Sequence, residues 1–557
     1  MVRSTAHKIV ASSLALVVAA TFGLGCRQTQ MTTPPAGEKP VKGGRLVYGT
    51  MEEPDTLNAY ISQMLESANL SNLFLDGLTR VDDQMKVIPV LAEDVPTAEN
   101  KGVSADGKTI TYKLRKGVKW SDGQPFTSAD VAFTQKVLTD PKVNVSNRVG
   151  YDRVTKVETP DENTVVFHFK EPFAPFVATC YQLGILPKHT LEKSKDINKD
   201  PWNRTLNPSL GAFTVKTWKT GQYVEGNRNE KYWGTRPNLD QVIVKFVTDP
   251  NALFAQLKSG EIDWYEFAPT TVTKGIKSLK NAKLFETDTL SYETYALIMK
   301  PGSPFKQEKV RKAVNYAINV APIVKTLYPG QTHAATTQHP LSWAFNADLK
   351  PYPYDPAKAK QLLDEAGWKD TNGDGIRDKG GKRLFFIIST TAGQTDREQK
   401  EDVISQDLKK VGIGSEIKNY EAGAFFGGFT EGGILTTGKC DIGVFTNVAG
   451  ADPDNYVTFN SKEIPSAKNP MGMNAFQIID PEIDKLTVEG QVTVDQAKRA
   501  EIYKKIDAII NEKAYTVLER WWKNADGVAT RVHNAKPNPT TQGNLWNATE
   551  LWVSGAK

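Results

Sequence analysis

The chain runs to 557 residues, which points to roughly three to four domain-sized units and excludes one continuous core. Hydrophobic residues at 39% and charged residues at 24% are ordinary for a folded soluble chain. A net charge of +5 is spread thinly, with Lys and Arg interleaved among Asp and Glu in "LEKSKDINKD" and "EIYKKIDAII", and this argues against nucleic acid as the main partner.

The chain opens on "MVRSTAHK", carrying Arg3 and Lys8, followed by an apolar run from Ile9 to Leu24. A basic start, an apolar core and a small-residue exit predict a secretory signal over residues 1–25. A permanent membrane anchor fits less well, because the run is short for a bilayer span and polar residues follow at once. The exit, "TFGLGCRQTQ", resembles a bacterial lipoprotein signal, in which Cys26 is lipidated and becomes the new N-terminus. It departs from that pattern at Gly23, where a large aliphatic residue is usual; ordinary signal cleavage is the alternative. Removing residues 1–25 takes away Arg3 and Lys8 and leaves a mature charge of +3. Residues 26–42 are polar and rich in Pro and Gly, the composition of a tether. Cys180 and Cys440 are then the remaining thiols; export permits a bridge between them, and a buried free state is equally compatible.

From residue 43 onward, short β-branched and aromatic runs alternate with helical patterns. "GRLVYGT", "NTVVFHFK", "QVIVKFV", "RLFFIIST" and "CDIGVFTN" predict strands. "TITYKLR" predicts another, followed by a turn at Asp122-Gly123 and a helix capped near Thr127. "KVRKAVNYAINVAPIVKTLY" puts Val310, Val314, Ala317 and Ile318 on one helical stripe, and Asp495 is the expected N-cap of a helix carrying Ile502, Ile506, Ile509 and Ile510. Strands mixed with helices, and no fixed-period repeat, indicate an α/β chain with several sheets.

Enzyme motifs are scarce. The chain has neither H-E-x-x-H nor G-x-S-x-G, and only six His. "GILTTGKC" has the spacing of a phosphate loop, yet Cys440 stands where Ser or Thr should be and a strand pattern follows, so it is expected to be a Gly-rich turn. His333 and His339 have no chelating spacing and are expected to be loop residues. Adjacent Glu52 and Glu53 point to opposite faces of an extended segment.

The segment Leu91 to Thr134 resembles the signature region of the solute-binding proteins of ABC importers, in the family that takes oligopeptides, dipeptides and nickel complexes. Asp106-Gly107-Lys108, Leu114 to Trp120, Asp122-Gly123, Pro125-Phe126-Thr127 and Asp130-Val131 carry the likeness. "GNRNEKYWGTRPNLDQVIVKFVTDPNALFAQLKSGEIDW", "VRKAVNYAINVAPIV", "YDPAKAKQLLDEAGW" and "ADPDNYVTF" continue it in family order. Two departures stand out. Ala212 replaces the Pro of a family turn, and Ala449 occupies the place where members that bind free peptides tend to carry an Asp for the peptide's amino group.

The resemblance implies a two-lobed, type II-like periplasmic-binding-protein fold with an extra subdomain on the first lobe. Residues 43–85, 206–300 and 525–557 would form lobe I, 86–205 the subdomain, and 301–524 lobe II. It implies a monomer, exported and held at the membrane by lipid, that passes a small-molecule or peptide solute to ABC permease subunits without making or breaking a bond. Carried-over positions put Glu52, Tyr292, Tyr295, Thr446, Asn447, Trp521 and Trp522 at the solute. Peptide, oligosaccharide, opine-like compound and metal complex all stay open. A surface lipoprotein acting as sensor or chaperone through protein contacts is the alternative, and an exported hydrolase a more distant one. "DTNGDGIRD" matches the start of a calcium loop through Asp370, Asn372, Asp374 and Asp378, but Gly381 stands where the twelfth-position Glu belongs. A structural calcium ion there is the sole cofactor expectation, against a loop whose side chains bond their own backbone.

Overall fold

The computed structural model describes residues 39–62, 64–470 and 472–555. The signal segment 1–25, Cys26 and the tether as far as residue 38 lie outside the described residues. Among the described residues no helix is long and apolar enough to cross a membrane.

Ten strands build one sheet: β1 (Arg45–Thr50), β2 (Phe213–Lys219), β3 (Tyr223–Arg228), β4 (Gln241–Phe246), β5 (Trp264–Tyr265), β6 (Ala282–Leu297), β7 (Phe385–Ser389), β8 (Gly414–Ile417), β9 (Ile442–Asn447) and β10 (Thr516–Ala529). Their spatial order is β8-β7-β9-β6-β10-β5-β1-β4-β3-β2. Two strands are far longer than the rest. β6 has 16 residues and β10 has 14, and they run antiparallel to each other. One end of this ribbon pairs with β5, the other with β9.

That ribbon separates two hydrophobic cores. The first gathers Leu46, Tyr48, Val242 and Trp264 together with Phe167, Phe176 and Tyr181, so the three-stranded sheet Thr109–Lys113, Val154–Asp161 and Thr164–Phe169 shares its core with β1, β4 and β5. The second gathers Leu297, Val314, Phe386, Ile404, Val444 and Ile506. Pairing within the ribbon is interrupted between the two. Residues between Asp288 and Tyr292 outnumber those between Lys523 and Trp521, and a second irregularity falls between Glu293 and Thr294. Such bulges bend a strand and re-aim side chains. The crossover is at these bulges.

Local chemistry explains the elements that the pattern predicts. Thr127 caps the helix Ser128–Thr139 in a capping box with Asp130, and the Asp495 carboxylate accepts Lys498 N–H at 2.9 Å to start Gln496–Glu512. One expectation is corrected. The stretch from Lys309 to Tyr328 is two helices, Glu308–Ala317 and Val320–Leu327. Asn319 N–H leaves the helical ladder for Asp407 Oδ2 at 2.9 Å, and Pro322 belongs to the first turn of the second helix, where its missing N–H costs nothing.

Candidate functional site between the two halves

Strand direction decides what the crossover can present. β1 and β5 are parallel, with Gly49 beside Tyr265, and Tyr265 pairs antiparallel with Gly527 of β10. Going up β1 or β5 therefore means going down β10, toward Trp522. On the far side, β9 pairs antiparallel with β6 so that Asn447 meets Tyr292, and β7 runs parallel to β9. The carboxyl ends of parallel strands from both halves thus point at the same crossover, the placement at which open α/β sheets bind ligands.

On the first half, Glu52 follows β1 and is exposed. Glu66, in the first turn of Leu65–Phe74, is mostly buried, and burial together with Glu52 beside it pushes its carboxyl up to about 7. Glu266 follows β5, is 1% exposed and accepts Asn69 Nδ2 at 2.6 Å; burial drives its carboxyl well above the usual range. Asp526 on β10 is fully buried, and its Oδ1 accepts Trp264 Nε1, Phe267 N–H and Asn544 Nδ2. Burial pushes it up to about 7 against those bonds, and among the described residues its Oδ2 has no partner. Glu53 is turned away, accepting Trp218 Nε1 at 2.7 Å and Gly221 N–H at 2.8 Å.

On the second half the buried carboxylates are matched by cations. Glu293 of β6 is fully buried and meets Arg397 at 2.9 Å and Lys400 at 2.8 Å, while Thr446 of β9 donates its hydroxyl to the other oxygen. Lys400, also fully buried, reaches Glu519 at 2.9 Å, and Tyr295 donates its hydroxyl to the same carboxylate. Burial alone would raise the Glu293 carboxyl, but Lys400, Arg397 and Arg520 outweigh it and hold it well below the ordinary range. Arg520 lies over the rings of Tyr328 and Trp522, at 3.6 and 4.4 Å. Arg397 and Lys400 come from the start of the helix Thr395–Lys410, which follows the carboxyl end of β7.

These contacts fix the places of the residues singled out from the sequence. Thr446 and Tyr295 serve the buried ion cluster through their hydroxyls. Tyr292 is 3% exposed and packs with Ala334, Leu518 and Trp521. Trp521 donates Nε1 to Thr336 O, and Trp522 donates to Asn524 Oδ1. Asn447, Trp521 and Trp522 are half-buried, and Glu52 is open. Glu293, Lys400, Arg397 and Glu519 were missed. "DREQKED" has the composition of a solvated helix face, and the one available signal was a Glu inside the aromatic strand "SYETYA". An open cavity of 660 Å³ lies elsewhere, on the first half, lined by Arg115, Lys116, Tyr232 and Trp233 and by none of these residues.

In "DTNGDGIRD" the side chains are engaged with the loop itself. Asp370 accepts Gly373 and Gly375 N–H, Asn372 accepts Asp374 N–H, Asp374 accepts Ile376 N–H, and Asp378 accepts Thr371 N–H. Arg383 pairs with Asp374 at 3.0 Å. Among the described residues no group of three or more His, Cys, Asp or Glu stands together as a candidate metal site. Cys180 and Cys440 are both buried and free, one in each core.

Residues 86–464 match the family described as bacterial extracellular solute-binding proteins, family 5 Middle. The oligopeptide-binding protein AppA of Bacillus subtilis is 30% identical over 559 residues, covering 99% of each chain. Its structure in complex with a nonapeptide superposes with a TM-score of 0.79 over 93% of this chain and all of that one. NikZ of Campylobacter jejuni, solved with Ni(L-His), is 27% identical with a TM-score of 0.78, over 91% of this chain and 99% of that one. The chain belongs to the family 5 extracellular solute-binding proteins, the extracytoplasmic binding components of ABC import systems; members bind solutes for transport and are not enzymes.

Proposed function

We propose that this family 5 binding protein captures a polar, peptide-like solute bearing a cationic group, closes its two halves over it, and hands it to ABC permease subunits. A monomer held at the membrane through lipid on Cys26, with residues 26–42 as the tether, completes the reading. The observation that carries the solute class is the exposed Glu52 at the carboxyl end of β1, with Glu66 beside it and the half-buried Trp522 and Asn447 at the crossover. The Glu52 charge adds to the burial that raises the proton affinity of Glu66, and an arriving ammonium or guanidinium relieves that repulsion. Ala449, at the position that resembles the amino-group acceptor of peptide-binding members, makes a carboxylate on the first half the natural substitute. The relatives' ligands, a nonapeptide and a nickel–histidine complex, bracket the size range.

Closure follows from differential affinity. A solute touching both halves binds the closed form more tightly, and the ribbon of β6 and β10 bends at its bulges. Native mass spectrometry of the mature chain, purified without refolding and sprayed gently, tests this directly. An adduct of several hundred daltons that leaves intact and carries a basic group is the expected outcome. A bare mass from protein shown to be folded would count against solute capture and favour a surface lipoprotein working through protein contacts.

A further inference from the structure

Two family landmarks that solute contact leaves unexplained, the Asp106-Gly107-Lys108 turn and "ADPDNYVTF", each meet the opposite half, Gly107 at Val494 and Tyr456 at Arg153. The first belongs with residues whose core is that of β1 and β5; the second packs with the core of β7 and β9. Gly107 has φ +67°, and a Cβ placed there would stand 2.6 Å from Val494 Cγ2 and 3.1 Å from Pro172 Cβ. The missing side chain is what lets Val494 approach, although Val494 is itself 43% exposed. Close by, Ala174 N–H donates to Gln491 O at 2.8 Å. Gln491 in turn donates Nε2 to Asp454 Oδ2 at 2.9 Å, and Asp452, two residues earlier, takes both arms of Arg499 at 2.8 and 2.7 Å. Two residues past Asp454, the ring of Tyr456 lies 5.9 Å from the Arg153 guanidinium.

We propose that these contacts are a clasp that holds the two halves shut, closing at a distance from the β6–β10 ribbon and independently of what the solute touches. The chemistry suits a reversible catch. One backbone hydrogen bond, one cation–π contact and one apolar contact against a glycine are each weak, exposed at their rim and free of buried charge. The parts behind them are stiff. The bidentate Asp452–Arg499 pair anchors the "DPDN" turn to Gln496–Glu512, so Gln491 and Tyr456 are presented on a fixed frame. Opening at the ribbon must break all three contacts together, which makes the clasp a term in the open-to-closed balance. The proposal rests on the hinge motion invoked above and needs no particular solute.

The test is hydrogen exchange at the Ala174 amide, whose acceptor sits on the opposite half, read together with small-angle scattering from the intact mature chain as purified. Arg153→Ala removes only an exposed side chain, and Val494→Asp places a carboxylate against the Gly107 backbone. Each should speed exchange at Ala174 by roughly fivefold while leaving amides of β7 and β9 unchanged. The double variant should also show a larger radius of gyration than wild type. Val403→Asp, an exposed valine on Thr395–Lys410, serves as the folding control and should change neither reading. Unchanged Ala174 exchange in Arg153→Ala and in the double variant would overturn the clasp, as would a wild-type scattering curve already wider than the closed structure. If native spectra show no solute yet Arg153→Ala still opens the chain, the solute reading fails and the clasp stands.

Discussion

The two ends of strand β10 carry the same kind of residue in opposite electrostatic settings. Glu519, on the second-half side, is fully buried and ion-paired with Lys400 at 2.9 Å, with Tyr295 donating to it. Asp526, on the first-half side, is equally buried, yet its recorded partners are an indole, a backbone N–H and an amide, none of them charged. Glu266 and Glu66 add to that second surplus, whereas Arg397 and Arg520 reinforce the first cluster. The difference teaches a division of labour along one ribbon. The paired end is a rigid fixture that fixes how β6, β9 and β10 meet the helix Thr395–Lys410. The unpaired end keeps carboxyls that prefer to be protonated, next to an exposed Glu52 that can accept a cation from outside.

The largest effect should come from breaking the paired end. Lys400→Met removes the buried cation that Glu293 and Glu519 share, leaving Arg397 on the first and the Tyr295 hydroxyl with Arg520 at 3.4 Å on the second, and a loss of about 3–5 kcal/mol is expected from chemical denaturation at neutral pH. Because Glu293 is held below its ordinary range, its contribution is complete above the unfolded carboxylate value and disappears as pH falls through the folded one. This end should therefore weaken in acid.

The unpaired end should behave the other way. Asp526, pushed up to about 7, binds a proton more tightly folded than unfolded, so its term is fully present below about pH 4 and is lost as pH rises through about 7. Asp526→Asn removes that titration. Relative to wild type it should gain on the order of 4 kcal/mol between pH 4 and pH 8 in denaturation series at both pH values. An unchanged pH slope would show that the first half's carboxyls are compensated after all.

A smaller effect belongs to the exposed carboxylate. Glu52→Gln should leave thermal stability within experimental error and weaken binding of the co-purifying solute roughly tenfold, about 1.4 kcal/mol by calorimetry. Full retention of affinity would remove the case for a cationic group at that wall. The smallest effect is expected at the acidic loop. Asp374→Ala loses the bond to Ile376 N–H and the solvent-exposed Arg383 pair, so stability should fall only slightly in thermal melts, and chelator treatment of wild type should leave its melting temperature unmoved. A calcium-dependent rise in that temperature, abolished by the same substitution, would establish the loop as a metal site.

Much of the fold was legible because it rests on local rules. Alternating apolar runs gave β1, β4, β7 and β9, capping residues gave the helices starting after Thr127 and Asp495, and the dense likeness over Leu91 to Thr134 gave the family. The helix break at Ile318-Asn319 was not legible, because it depends on Asp407 drawing Asn319 N–H out of the ladder from another element. The ion cluster escaped for a related reason. Lys400 and Glu401 stand in a charged, outwardly polar helix sequence, and both are fully buried only because Glu293, Glu519 and Asn419 reach them from elsewhere in the fold.

What the sequence determined by itself was therefore the set of elements, the family and the general nature of the task, since propensity, capping and periodicity act within a few residues of each position. Only the tertiary structure decided which carboxylates have a cation and which do not, that the carboxyl ends of β1, β5, β7 and β9 converge on one crossover, and that Gly107 stands against Val494. Those outcomes depend on strand direction and burial across hundreds of residues of chain, and the desolvation and pairing energies that follow from them are set by neighbours in space.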